Sequence, residues 1–293
     1  MSSLAIMSTK IAAATFRLSE PANERLFLWM GVAPGGGGPR GPEITDAKGA
    51  VTNVAQPSLE IFIPKRPNAK SVLIAAGGGY KRIEQGMEAI PAAQWLRERG
   101  YTAYVLTYRL PGEGWNNGSL VSLQDAQRAL RIIRSREQYV SVLGFSAGGH
   151  LLGMAVNQAD RPSYNPTDQL DSISPQAEGA ALVYPIITLE KPYSHTSTHK
   201  MLLGNHADPE EESRWSLQNM VNRHTPPMFL VQAEDDPISN PENTLIMKSA
   251  CDRAKVPAEL YRYSSGGHGF GMGRAGTPTV DWPGKYEAWL ARK

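Results

Sequence analysis

The chain has 293 residues, 41% of them apolar, which is enough to bury a large core and lies within the size range of one α/β domain. Thirty basic against 28 acidic residues leave a formal charge of +2 with no long lysine or arginine run, so composition argues against a nucleic-acid partner. No stretch approaches the ~18 to 20 apolar residues of a membrane span, and one cysteine, Cys251, excludes an internal disulfide and a cysteine-based metal site.

In chain order, the first 18 residues are mildly apolar but broken by Ser8, Thr9 and Lys10, so they lack the unbroken core of a secretion signal, and a cytoplasmic protein is expected. Residues 31 to 57 are rich in Gly and Pro and carry no strong strand or helix signal. Trp29 and Met30 before them and the strand-like LEIFIP at 59 to 64 after them suggest an N-terminal arm, residues 1 to 57, crossing a core of residues 58 to 293. From residue 71 short apolar runs alternate with amphipathic segments. The runs at 71–76, 102–108, 140–145, 179–186, 228–233 and 258–263 read as strands, and the segments at 88–98, 122–136, 147–157, 241–254 and 283–291 as helices. That alternation predicts an α/β fold, a mostly parallel sheet with helices on both faces. In 122–136, Leu123, Ala126, Leu130 and Ile133 recur at helical spacing and place one face against the sheet. Cys251 falls on such a helix and reads as buried filler.

The strongest local signal is Gly144-Phe145-Ser146-Ala147-Gly148, between an apolar strand and an apolar helix. G-x-S-x-G at a strand-to-helix junction makes a sharp turn that lifts a serine hydroxyl above the sheet. A serine so placed needs a base within hydrogen-bond reach and a carboxylate to hold that base, each on a loop after a later strand. Of six histidines, His268 in SSGGHGFG fits, just after the last expected strand. His150 reads as a packing or hydrogen-bonding residue, His195, His199 and His206 as solvated loop or cap positions, and His224 as a turn residue. Three acids, Glu234, Asp235 and Asp236, end the strand MFLVQA. Asp236 is the choice, since Pro237 tightens the turn and Ile238 anchors it, with Asp235 the alternative. Backbone N–H groups that stabilise the oxyanion of acyl transfer are expected from Gly78 and Gly79 in AGGGY at 76–80, with the N–H of Ala147. A phosphate cradle would need G-K-[ST] or G-x-G-x-x-G leading into a helix, and neither is present. Tyr80, Trp29 and Trp115 are the aromatic candidates for the substrate side, Tyr80 foremost. No metal or organic cofactor is expected: His195 and His199 are spaced H-x-x-x-H, but in a turn-like polar segment without a third ligand.

These residues, with WL at 95–96 followed by RGY, YRL at 108–110, DAQRALRIIRSR at 125–136, TPPMFLVQAEDDP at 225–237, GGHGFG at 266–271 and W-x6-WL at 282–290, resemble the acetyl-esterase branch of the α/β hydrolases. That branch includes bacterial acetyl-xylan and pectin acetylesterases and is similar to the hormone-sensitive-lipase-like esterases. The resemblance implies an α/β-hydrolase fold and a serine carboxylesterase that removes short acyl groups, acetyl in particular, from sugars or oligosaccharides through an acyl-enzyme. Its partner would be a small-molecule or oligosaccharide ester. The family's nucleophile, acid and base fall on Ser146, Asp236 and His268. Where the lipase-like relatives usually carry histidine before the glycines, and many acetylesterases proline, this chain has Ala76. Two rival readings are a serine peptidase of the same fold, for which no acidic pair for a substrate amino terminus stands out, and a non-catalytic binding protein that keeps the hydrolase shell.

Overall fold

Mostly apolar runs such as VSVLGF and MFLVQA suit strands covered on both faces, because parallel strands joined by crossover helices expose neither side to water. They take that form in the computed structural model, which describes residues 23–292. Residues 1–22 of the expected arm, and with them the segment weighed as a secretion signal, lie outside the described residues. The strands are β1 (Glu24–Phe27), β2 (Ile44–Thr45), β3 (Val51–Thr52), β4 (Ser58–Phe62), β5 (Ser71–Ala75), β6 (Thr102–Thr107), β7 (Val140–Phe145), β8 (Ala180–Val183), β9 (Met228–Ala233) and β10 (Ala258–Tyr263). The helices are α1 (Ile90–Glu98), α2 (Gly118–Arg136), α3 (Ala147–Asn157), α4 (Ser197–Leu203), α5 (Pro209–Arg214), α6 (Glu242–Arg253) and α7 (Trp282–Ala291).

The main sheet has eight strands in the order β1-β4-β6-β5-β7-β8-β9-β10. β1 pairs antiparallel with β4 and β4 with β6, and every later pairing is parallel. Parallel pairing brings the carboxyl ends of β5, β7, β8, β9 and β10 to one edge, where open α/β sheets hold their ligands. The segments that follow those strands carry AGGGY, the serine, the acids and His268.

Two regions differ from the sequence expectation, for local reasons. Helix α2 buries its polar side as well as its apolar one, because the arm lies over it. Trp29 Nε1–H donates to Asp125 Oδ1 at 2.9 Å, Arg128 Nε–H to the Leu28 carbonyl at 2.8 Å, and Arg109 Nη1–H to the Pro34 carbonyl. The segment expected as a polar loop around His195 to His206 contains α4, with α5 following it. Thr196 Oγ1 accepts from His199 N at 3.1 Å and starts α4, while Asp208 and Glu211 form a reciprocal capping box with Pro209 at the first position of α5. His199 is therefore not solvated: its Nε2 lies 3.0 Å from Glu212 Oε1. His195, His206 and His224 are exposed. Cys251 is fully buried in α6.

Candidate active site

Ser146 stands between β7 and α3 with φ of 53°, a left-handed conformation that a residue with a side chain adopts only at a cost of ~1 to 3 kcal/mol when its surroundings enforce it. The surroundings are backbone. A Cβ on Gly148 would lie 2.2 Å from the Ala75 carbonyl oxygen, so only glycine lets the first turn of α3 sit this close to β5. The turn thrusts the serine hydroxyl toward the loop after β10, where Ser146 Oγ lies 3.0 Å from His268 Nε2.

On the far side of the ring, His268 Nδ1 lies 2.8 Å from Asp236 Oδ2, and the Asp236 side chain is wholly buried. A carboxylate only accepts, so Nδ1 carries the proton and Nε2 is left to accept from the serine. Asp236 is itself fixed: Oδ1 accepts from Ile238 N at 2.8 Å and Ser239 N at 2.9 Å, and Gln232 Nε2–H reaches Oδ2 at 3.3 Å. Its neighbour Asp235 does different work, accepting from Gly267 N at 2.8 Å and so steadying the histidine loop. The choice between the two acids thus falls geometrically on Asp236.

Gly77 approaches the serine so closely that a Cβ there would come 2.7 Å from Ser146 Cβ, which brings the glycine loop against the nucleophile turn. Among the described residues, the N–H groups of Gly78, Gly79 and Ala147 donate to no protein acceptor. The loop is held from outside by Tyr108 Oη–H to the Ala76 carbonyl and Ser197 Oγ–H to the Gly79 carbonyl, both at 2.7 Å. Donors left free beside a serine–imidazole–carboxylate line are equipped to meet an oxyanion.

Residues 59–250 match the BD-FAE family, well over half of the chain. The chain belongs to the BD-FAE family. This BD-FAE chain is 29% identical over 228 residues to an acetylxylan esterase of Xylanibacter ruminicola, covering 72% of itself and 43% of that protein. It is 32% identical over 206 residues to endo-1,4-beta-xylanase B of Butyrivibrio fibrisolvens, covering 68% of itself and 32% of that protein. The chain thus spans less than half the length of either relative. Among solved structures, it superposes on an acetyl ester-xyloside bifunctional hydrolase from Caldicellulosiruptor lactoaceticus with a TM-score of 0.76 and 29% identity, over 93% of this chain and 97% of that one. The carboxylesterase Cest-2923 from Lactobacillus plantarum matches in fold, with a TM-score of 0.68 and 22% identity, over 81% of this chain and 93% of that one. The BD-FAE chain has the α/β-hydrolase fold, as its strand order and these superpositions show.

The aromatic candidates need correction. Tyr80 is 1% exposed, and its hydroxyl faces His150 Nδ1 at 2.9 Å, so it lines the underside of the glycine loop and not the substrate side. Its backbone has a φ of 60°. His150, fully buried, completes the tie with Nε2 2.8 Å from the Trp215 carbonyl, and burial pushes its pKa down to about 4. With Nε2–H donating to that carbonyl, neutral His150 accepts from Tyr80 at Nδ1. Trp29 and Trp115 border a separate cleft of about 560 Å³, together with Phe27, Met30 and Pro57. Among the described residues no group of three or more His, Cys, Asp or Glu side chains gathers as a metal site.

Sequence reasoning passed over two buried residues at the site, Glu88 and Tyr184. Glu88 shares a helical face with Ala92 and Leu96, and a carboxyl on an apolar stripe was a readable signal. Tyr184, directly after β8, packs its ring 4.7 Å from that of His268 and carried no such mark.

Proposed function

We propose that this chain is a serine carboxylesterase that removes short acyl groups, acetyl foremost, from acetylated sugars or oligosaccharides by way of an acyl-enzyme on Ser146. The observation that carries this reading is the hydrogen-bonded line from Ser146 Oγ through His268 to buried Asp236. As Ser146 Oγ attacks the ester carbonyl, its proton passes to His268 Nε2, and the N–H groups of Gly78, Gly79 and Ala147 meet the oxygen that becomes anionic. The imidazolium returns that proton to the departing alcohol. Water then gives a proton to Nε2 and its oxygen to the acyl carbon, and as the acyl–Oγ bond breaks Nε2 returns that proton to Ser146 Oγ, releasing the acid and restoring the serine. Asp236 remains ionised and keeps the ring in the tautomer that accepts at Nε2.

The sugar half of the proposal is supported by the relatives, one named an acetylxylan esterase and one an acetyl ester-xyloside hydrolase. Acetate release from acetylated xylo-oligosaccharide tests it, with p-nitrophenyl esters from acetate to octanoate as a second series. The expected result is acetate from native protein, none from Ser146→Ala, and rates that fall as the acyl chain lengthens. Well-folded native protein that releases no acetate from the oligosaccharide contradicts the substrate assignment, and inactivity on all the esters contradicts the esterase.

A further inference from the structure

Beneath the site lies a carboxyl group that the reaction described above does not use. Glu88 belongs to a π-helical turn, Gln85–Ala89, that leads into α1, and it is 4% exposed. Its Oε1 accepts from Gly77 N at 2.8 Å, in the glycine loop. Its Oε2 accepts from Tyr184 Oη–H. The Tyr184 oxygen in turn accepts from Gly271 N at 3.1 Å, three residues beyond His268, while the Tyr184 ring packs on both His268 and Phe270. The bonds therefore converge on Glu88: Gly271 N–H donates to Tyr184, Tyr184 O–H to one oxygen of Glu88, and Gly77 N–H to the other.

Direction matters, because both groups that reach Glu88 are donors. Gly77 N–H can do nothing else, and the Tyr184 hydroxyl donates to Glu88 Oε2 while its oxygen accepts from Gly271 N. Only an acceptor with two free oxygens satisfies both, which a carboxylate does and an amide does not. Among the described residues no lysine or arginine pairs with Glu88. Burial pushes its carboxyl above the ordinary value, outweighing the opposing pull of the Tyr184 hydroxyl, the Gly77 N–H and the nearby His268. A buried acid without a cation is costly to stability, and a packed apolar side chain would be cheaper if support alone were needed.

We propose that Glu88 is a positioning residue for the ester hydrolysis assigned above: one buried carboxylate on which both the oxyanion loop and the His268 loop are mounted. Its Oε1 fixes the peptide that precedes the free N–H groups of Gly78 and Gly79. Its Oε2, through Tyr184, fixes the span from His268 to Gly271. The two loops follow β5 and β10, which are not neighbours in the sheet, and Glu88 sets the separation between oxyanion donors and base. The inference rests on the esterase reading.

The test uses the full chain and two variants, Glu88→Gln and Tyr184→Phe, alone and together, with active sites counted by the p-nitrophenolate burst of a phosphate triester. On p-nitrophenyl acetate, Glu88→Gln is expected to lower kcat per titrated site by ~10- to 100-fold with KM little changed, approaching the loss of one oxyanion donor. Tyr184→Phe keeps the ring against His268 and removes only the link, and is expected to lower kcat about tenfold, on the scale of one hydrogen bond of this strength. Because both act through one chain of hydrogen bonds, the double variant is expected to lose no more than Glu88→Gln alone. A purely structural Glu88 would lower the titrated fraction and the melting temperature while leaving kcat per site at the native value, and that result overturns the proposal. Should Glu88→Gln fail to fold, Tyr184→Phe with native kcat overturns it equally. If native protein turns over p-nitrophenyl acetate and the variants match it, only the Glu88 inference falls; if native protein is inert, the esterase reading falls and takes the inference with it.

Discussion

The flank where the arm crosses α2 and the carboxyl edge of the sheet are both tied together by buried polar groups, with opposite chemistry. On the flank, charge meets charge: fully buried Arg109 binds Asp125 through Nε and Nη2, and Arg128 binds Asp168 and Asp171. At the edge, Asp236 faces an imidazole and backbone N–H groups, and Glu88 faces a tyrosine and a glycine N–H, with no lysine or arginine on either among the described residues. Backbone strain is heavier at the edge than in the arm, where Asn53 alone has a positive φ, 58°, among the described non-glycine residues. Of the six non-glycine residues with positive φ among those described, Tyr80, Ser146 and Tyr184 lie at the edge. The flank pairs its buried charges, whereas the edge leaves the carboxyl groups of Asp236 and Glu88 without a cationic side chain, close to the His268 ring. Strain and unpaired charge persist where surrounding structure enforces them, and they collect where they serve chemistry.

Breaking each region separately sharpens that contrast. The largest effect is expected from Asp236→Asn at the edge, which keeps the shape but holds the wrong tautomer of His268: a ~10⁴-fold loss of kcat on p-nitrophenyl acetate, with the urea unfolding midpoint close to native. Asp125→Ala on the flank should do the reverse. It strands buried Arg109 and frees Trp29 Nε1, lowering unfolding free energy by ~3 to 5 kcal/mol in urea titrations, while kcat per folded molecule stays native. If Asp125→Ala abolishes turnover in folded protein, the division of labour is wrong.

A smaller effect separates two ties within the edge. Burial lowers the pKa of His150 from an ordinary 6.5 to about 4, so the unfolded chain binds its proton first as pH falls. The contribution of neutral His150 is fully present above pH 6.5 and drains away as pH drops toward 4, about 3 kcal/mol in all. His150→Asn lacks that titration, so the gap in stability between native protein and variant should narrow from pH 7 to pH 4, and a gap constant with pH contradicts the assignment. The smallest effect concerns neither region. Cys251 is buried, and its thiol is pushed up to about 11 chiefly by burial. It should ignore a disulfide reagent at pH 8 in native protein and react fully in urea.

The parts legible in the sequence are those whose cause is local. Strands at 140–145 and 228–233 keep the bounds that their apolar runs suggest, because a strand covered on both faces is apolar at nearly every position; the edge strand at 258–263 keeps its bounds as well, though only partly buried. Ser146 and His268 stand out through glycines beside them, and Pro237 after Asp236 favoured the acid that the structure brings to His268. The supports were not legible, because they join distant parts of the chain. Tyr184 meets Glu88 across 96 residues and Tyr80 meets His150 across 70, so Tyr80 read as a pocket wall when it is a buried brace. Likewise α2 reads as one-sided until the arm covers its polar face. Helices α4 and α5 carried capping residues, Thr196 and Asp208, in a stretch whose polarity masked them.

Whether Ser146 carries the acyl group is read by peptide mapping with mass spectrometry during acid-quenched turnover of p-nitrophenyl acetate. An acetyl group is expected on the peptide that holds Ser146, and none on that peptide in Ser146→Ala. Turnover by native protein with acetyl on another residue, or turnover that survives in Ser146→Ala, would contradict it.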